Sequence, residues 1–202
     1  MAVPDRLRLP LDFDPALLMR DAALATAWVN HHVRYNYDGE WQAVALRAPA
    51  DARHPIATIN AFSPTGAAFV DTPLLARCSY FGAVLSAFAC PLRSVRLMRL
   101  SPGSSIKEHF DDGLSFEDGH VRLHIPILTN AEVDFRINGV RVDMTPGSTW
   151  YLRFADPHSV ANRGACDRIH LVIDAQVDDW LRSLFAQATI LRQGLFLERR
   201  AG

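Results

Sequence analysis

The chain has 202 residues, enough for one domain that buries its own core without a disulfide or metal staple. With 49% hydrophobic and 21% charged residues its composition is that of a globular protein, not a disordered one. Lys and Arg (21) balance Asp and Glu (22), so no basic excess points to nucleic acid or to an anionic membrane, and neither is expected as a partner.

Met1 to Phe13 alternates charge, proline and single leucines and lacks the continuous apolar run of a secretory signal. Three cysteines (Cys78, Cys90 and Cys166) show no zinc-site spacing and read as small apolar residues in a reducing compartment, so the expected location is the cytoplasm. Asp14 is placed to cap a helix with Pro15 at its first position. Leu17, Leu18, Ala22, Ala25 and Val29 extend that pattern, putting His31 and His32 near the helix end as dipole complement or solvated face. Trp41 to Arg47 reads as a strand, Ala48 to Asp71 as mostly loop, and Thr72-Pro73 opens a helical region running to about Ala89. The run from Cys78 to Leu92 is apolar, but it is shorter than the roughly 20 residues that span a bilayer.

From Ser94 onward the pattern is that of strands. Val95 to Leu100, Val121 to Leu128, Val133 to Ile137, Val140 to Met144, Thr149 to Arg153 and Arg168 to Ile173 are separated by turn residues, with Asn138-Gly139 a strong hairpin signal. Such a series predicts an antiparallel sandwich or small barrel. A last amphipathic helix is predicted from about Val177 to Leu191. The whole chain, 1–202, is expected to be one domain. In it, 1–92 forms a helical and loop region packing on the barrel, 93–175 the barrel core, and 176–202 the C-terminal helix.

No phosphate-binding glycine loop, dinucleotide motif, nucleophile elbow or Cys-x-x-Cys pair occurs. The chemistry is carried by histidines. In His109-Phe110-Asp111 the outer two residues share one side of an extended segment, so imidazole and carboxylate can meet one ion, or form a surface hydrogen bond. With His158 they make a two-histidine, one-carboxylate set that leaves positions on Fe(II) open. Arg168, ten residues on from His158 and inside an apolar strand, either faces a cavity or pairs with Asp174 or Asp143. His120, Arg122 and His124 share one strand face, which is either barrel interior or solvated edge.

The segments VRLMRLSPGSSIKEHFDDG, VRLHIPILTN, PGSTWYLRF and PHSVANRGACDRIHLVIDA, with WQAVALR and DTPLL upstream, resemble the aspartyl/asparaginyl β-hydroxylase family of Fe(II)/2-oxoglutarate dioxygenases, to which free-proline hydroxylases are related. The resemblance implies a mainly β fold with flanking helices, the double-stranded β-helix, a jelly-roll or cupin-like barrel. It implies His109, Asp111 and His158 as iron ligands, Arg168 on the distal carboxylate of 2-oxoglutarate, and Arg122 and His124 lining the same pocket. The implied cofactors are Fe(II), 2-oxoglutarate and O2, with ascorbate as a stimulant. The implied reaction hydroxylates an unactivated C–H of an amino acid, free or within a peptide, while 2-oxoglutarate is decarboxylated to succinate. Two alternatives stay open: a barrel that binds metal or a small ligand without catalysis, which need not keep the arginine anchor, and a zinc hydrolase on the same ligands, which would have no use for it.

Overall fold

The computed structural model describes residues 3–188. Among these residues the N-terminal part holds β1 (Arg6–Asp12), α1 (Pro15–Ala22), β2 (Val29–Asn30), β3 (Tyr37–Asp38), β4 (Trp41–Pro49), α2 (Pro55–Thr58), β5 (Phe69–Asp71), α3 (Pro73–Arg77) and α4 (Ser79–Ser86). The rest is β6 (Leu92–Leu100), β7 (Ser105–His109), β8 (His120–Leu128), β9 (Val133–Ile137), β10 (Val140–Arg141), β11 (Ser148–Leu152), β12 (His158–Asn162), β13 (Arg168–Gln176) and α5 (Asp179–Ala186). The larger sheet runs β1-β11-β8-β13-β6-β4-β2, with β5 also on β4, and the smaller runs β10-β9-β12-β7-β3. The two sheets face each other as a double-stranded β-helix.

Period-2 alternation gives each long strand two apolar faces. Val121, Leu123 and Ile125 of β8, Leu171 and Ile173 of β13, and Val95 and Leu97 of β6 pack outward against Leu18, Phe81, Leu85, Leu181 and Phe185 of the helices. The other faces, with Met98, Leu100, Ile106, Phe135, Ile137, Trp150 and Val172, fill the space between the sheets. Arg122 and His124 lie on that inner side, in step with Arg168, His170, Val172 and Asp174 of β13. Sheet β9–β10 turns through Asn138 (φ 52°) and Gly139 (φ 73°), the left-handed pair that a tight hairpin needs.

Four elements differ from the sequence expectation. The first ninety residues are not only helix and loop. β1 closes one edge of the larger sheet by pairing with β11, and β4 and β2 extend the other edge beyond β6. The Arg6-Leu7-Arg8-Leu9 alternation was the available signal, and Pro10 is tolerated because the strand lies at an edge. Helix α1 starts where predicted, with Asp14 Oδ1 accepting from the amides of Ala16 and Leu17, but it ends at Ala22. Val29 and Asn30 pair instead with Ala43 and Gln42, a tertiary contact that overrides the helical spacing. The predicted second helix is two helices broken at Cys78. The break is stabilised from outside: the buried Asp21 carboxylate of α1 accepts from the amides of Tyr80 (2.7 Å) and Phe81 (3.0 Å), capping α4 across space. The last helix begins at Asp179 behind an Asp178 cap, and the positions 189–191 predicted to continue it lie outside the described residues.

Asp21 therefore stabilises the helical layer through another element. Asp21→Ala should lower the urea midpoint by the equivalent of about 2 kcal/mol with an unchanged slope, and Asp21→Asn, which keeps an acceptor, should lose less. Equal midpoints for wild type and Asp21→Ala would rule this cap out.

Candidate metal centre and its cavity

Strands β7 and β12 are neighbours in the smaller sheet, and their register sets His109 directly opposite His158. Between this pair and Val160↔Ile106 the register shifts, so β7 carries one extra residue there, a β-bulge that re-aims the strand end. Beyond the bulge Phe110 turns outward, 60% exposed, and Asp111 turns inward with its amide bonded to the carbonyl of Phe154 (2.8 Å). His109, Asp111 and His158 each offer a ligand atom, and these atoms lie within 4.8 Å of one another.

The protons on both rings can be assigned from their partners. His109 Nδ1 lies 2.7 Å from the carbonyl of Lys107, and His158 Nδ1 lies 3.0 Å from the carbonyl of Asp156. A carbonyl only accepts, so each Nδ1 carries the hydrogen and each Nε2 is left as a lone pair. The carbonyl two residues upstream thus orients each of these histidines, while Asn162, at the end of β12, donates to the carbonyls of Leu100 and Cys166. Burial pushes the His158 imidazole down to about 4, which keeps it neutral. The donor set of two bare imidazole nitrogens and one carboxylate oxygen suits Fe(II).

Arg122 governs the carboxylate. Its Nη1 donates to Asp111 Oδ2 at 2.5 Å, leaving Oδ1 on the side of His109 Nε2, 3.8 Å away. Its Nε donates to Asp174 Oδ1 at 2.7 Å, and Asp174 Oδ2 accepts from Arg96 at 2.6 Å. Arg96 in turn donates to the carbonyl of Ile59. Burial opposes the charge on Asp111, but Arg122 outweighs it and holds the carboxyl below its usual range. Burial likewise opposes the charge on Arg122, and Asp174 and Asp111 outweigh it and raise that group. Arg122 thus stands between two carboxylates, so a carboxylate of any ligand has to share it with them.

Arg168 is different. It is 2% exposed, its guanidinium lies over Phe135, and no carboxylate among the described residues pairs with it. Asp174 is held by Arg96 and Arg122, and Asp143 by Arg141. Burial alone pushes Arg168 down to about 9, so it remains a cation at neutral pH, and its Nε has no partner. His124 is buried and stacked on Phe154 (5.0 Å between centroids), which also packs edge-on against His158 (4.6 Å). Phe154 is therefore both core and site wall.

These groups line one cavity of about 520 Å³. The wall also includes residues that sequence reasoning placed elsewhere or passed over. His31 follows β2 instead of ending a helix, lies flat on Trp41 (3.6 Å between centroids), and is pushed down to about 3 by burial. Arg96 stands inward in the alternation of β6 with Met98 and Leu100, a legible signal of the same kind that marked Arg122. Arg99, on that strand, stacks on Trp28 outside the cavity.

The family described as aspartyl/asparaginyl beta-hydroxylase matches residues 16–177 of the chain. The chain is 28% identical over 138 residues to L-proline cis-4-hydroxylase of Rhizobium meliloti (strain 1021), covering 67% of this chain and 48% of that protein. It thus spans about half the length of that curated relative. A prolyl-4-hydroxylase from Pseudomonas putida superposes with a TM-score of 0.50 at 13% identity, over 87% of this chain and 94% of that one. An oxidoreductase of the 2OG-Fe(II) oxygenase family from Burkholderia pseudomallei gives a TM-score of 0.49 at 16% identity over 82% of each chain. The Pseudomonas putida likeness speaks to the fold alone. Among the described residues no helix is long and apolar enough to cross a membrane.

Two outcomes are expected. Arg122→Met frees both oxygens of Asp111 and should weaken Co(II) affinity about 10- to 100-fold by calorimetry; unchanged affinity would show that Arg122 does not orient the carboxylate. The metal-free protein should lose stability as pH falls from about 6.5 toward 4. In that window the unfolded chain protonates His31, His124, His158 and His170, whereas burial holds all four neutral in the fold. Unfolding then takes up protons, so stability rises with pH there. Urea midpoints that stay level between pH 7 and 5 would contradict this.

Proposed function

The chain belongs to the aspartyl/asparaginyl β-hydroxylase family, and on that premise we propose that it is an Fe(II)- and 2-oxoglutarate-dependent dioxygenase. It hydroxylates an unactivated C–H bond of an amino acid, free or within a peptide, and acts in the cytoplasm. The observation that carries this reading is the pairing of two features in one cavity. One is a set of His109, Asp111 and His158 ligand atoms within 4.8 Å. The other is a buried arginine, Arg168, with no acidic partner among the described residues. A dicarboxylate that chelates a metal at one end needs a free cation at the other.

His109, Asp111 and His158 would hold the iron through two bare Nε2 atoms and one carboxylate oxygen. Arg168 would bind the distal carboxylate of 2-oxoglutarate. When bound, iron and 2-oxoglutarate use dioxygen to oxidise the substrate C–H, and 2-oxoglutarate leaves as succinate and CO2. Arg122 keeps Asp111 turned to the metal and lines the pocket shared by cosubstrate and substrate. His124 lines it too; with burial keeping its ring neutral, it meets a carboxylate only by taking up a proton. Phe135, Phe154 and Val160 exclude water around these groups. A cavity of about 520 Å³ that has to hold both molecules supports a small substrate. The likeness to a proline hydroxylase makes a free amino or imino acid the first compound to try.

The test is succinate formation from 2-oxoglutarate by purified protein with Fe(II), ascorbate and air, across free amino acids (proline included) and short peptides. Turnover stimulated by one of them and abolished in His158→Ala is the expected result. A wild-type protein that fails to bind 2-oxoglutarate by calorimetry under nitrogen, with Fe(II) loaded, would overturn the proposal.

A further inference from the structure

His170 stands two residues from Arg168 on the inner face of β13 and is 1% exposed. Its Nδ1 lies 2.8 Å from Arg168 Nη2 and 3.2 Å from His124 Nδ1. A guanidinium only donates, so His170 Nδ1 must be the bare nitrogen. His124 Nδ1 must then carry the hydrogen that it points at His170. One lone pair therefore receives a hydrogen bond from each of two pocket residues.

This arrangement decides what the pocket offers. Arg168 is held by a neutral acceptor. A carboxylate in the same place would orient the guanidinium equally well but would cancel the charge that a dicarboxylate needs. His124, with its Nδ1 hydrogen committed, presents Nε2 as an unpartnered lone pair, and Arg168 keeps Nε unpartnered. His170 also lines a second cavity of about 310 Å³, and Phe135 lines both cavities.

We propose that His170 is a positioning residue of the cosubstrate pocket, fixing the direction of the Arg168 guanidinium and the tautomer of His124 through a single lone pair. The assignment rests on the reading of Arg168 as the anchor of the distal carboxylate. His170 touches neither the metal ligands' donor atoms nor the distal carboxylate itself, and it acts through its two neighbours.

The test compares binding of 2-oxoglutarate and of 2-oxobutyrate, which lacks the distal carboxylate, to Co(II)-loaded protein by calorimetry. His170→Phe keeps the ring and removes the acceptor. It should weaken 2-oxoglutarate about 10- to 100-fold, the range set by losing a buried hydrogen bond to a charged group, while leaving 2-oxobutyrate and Co(II) affinity within about twofold. His170→Asn restores an acceptor near the Nδ1 position and should recover most of the 2-oxoglutarate affinity. If His170→Phe does not fold, His170→Leu takes its place in the same comparison. Two results overturn the proposal: 2-oxoglutarate binding that is unchanged in the variant, or losses for 2-oxoglutarate, 2-oxobutyrate and Co(II) that move together, as a merely structural role requires. A wild-type protein that binds 2-oxobutyrate but not 2-oxoglutarate would refute the anchor reading itself, and this assignment with it.

Discussion

The pairing of His109 with His158 across β7 and β12 is the constraint on which the site depends. Side chains alternate faces along a strand, so a slip of one residue would send one imidazole into the barrel and the other out of it. The β-bulge before His109 then sets the direction of the strand end, placing the Lys107 carbonyl on His109 Nδ1 and letting Asp111 turn inward past the exposed Phe110. On the other strand the Asp156 carbonyl holds His158 in the same way. Both histidines are thus oriented by backbone within two residues of themselves, which ties the geometry of the candidate metal site to the geometry of the sheet.

The charges inside the barrel sort into two kinds. Arg96 and Arg122 share Asp174, and Arg122 reaches on to Asp111. This chain joins the Asp111 carboxylate to the Ile59 carbonyl on the cavity wall, and each of its buried ions has a partner, as the cost of desolvation demands. Arg168 departs from that rule. Among the described residues no carboxylate compensates its charge, which is the feature the proposed anchoring role rests on. The neutral imidazole of His170 beside it is what allows orientation without neutralisation.

The same alternation that builds the site also divides the packing. Outward faces of β6, β8 and β13 bury against α1, α3, α4 and α5, while their inward faces meet the smaller sheet. The N-terminal segment serves both layers. It supplies helices to the outer core and strands β1 and β4 to the sheet, and its His31–Trp41 stack lines the cavity.

Much of this was legible in the residues. Asn-Gly marked the hairpin, Asp14-Pro15 marked the first helix, and an arginine inside the apolar strand at Arg168 marked a buried charge, while His109, Asp111, His158 and Arg122 were singled out by the family resemblance. Those signals are local, because strand period, cap and turn chemistry act within a few residues. Other features depended on contacts far apart in sequence. Val29 leaves a helical pattern because β4 offers an edge, α4 takes its cap from α1, Arg122 is claimed by Asp174 from a neighbouring strand, and His170 turns out to be the acceptor that Arg168 and His124 share. The sequence alone determined which groups were present and which of them share a strand face, as His120, Arg122 and His124 do. Only the tertiary structure decided which charge was left without a counter-ion, because that depends on which donors and acceptors the packed sheets bring within reach of one another.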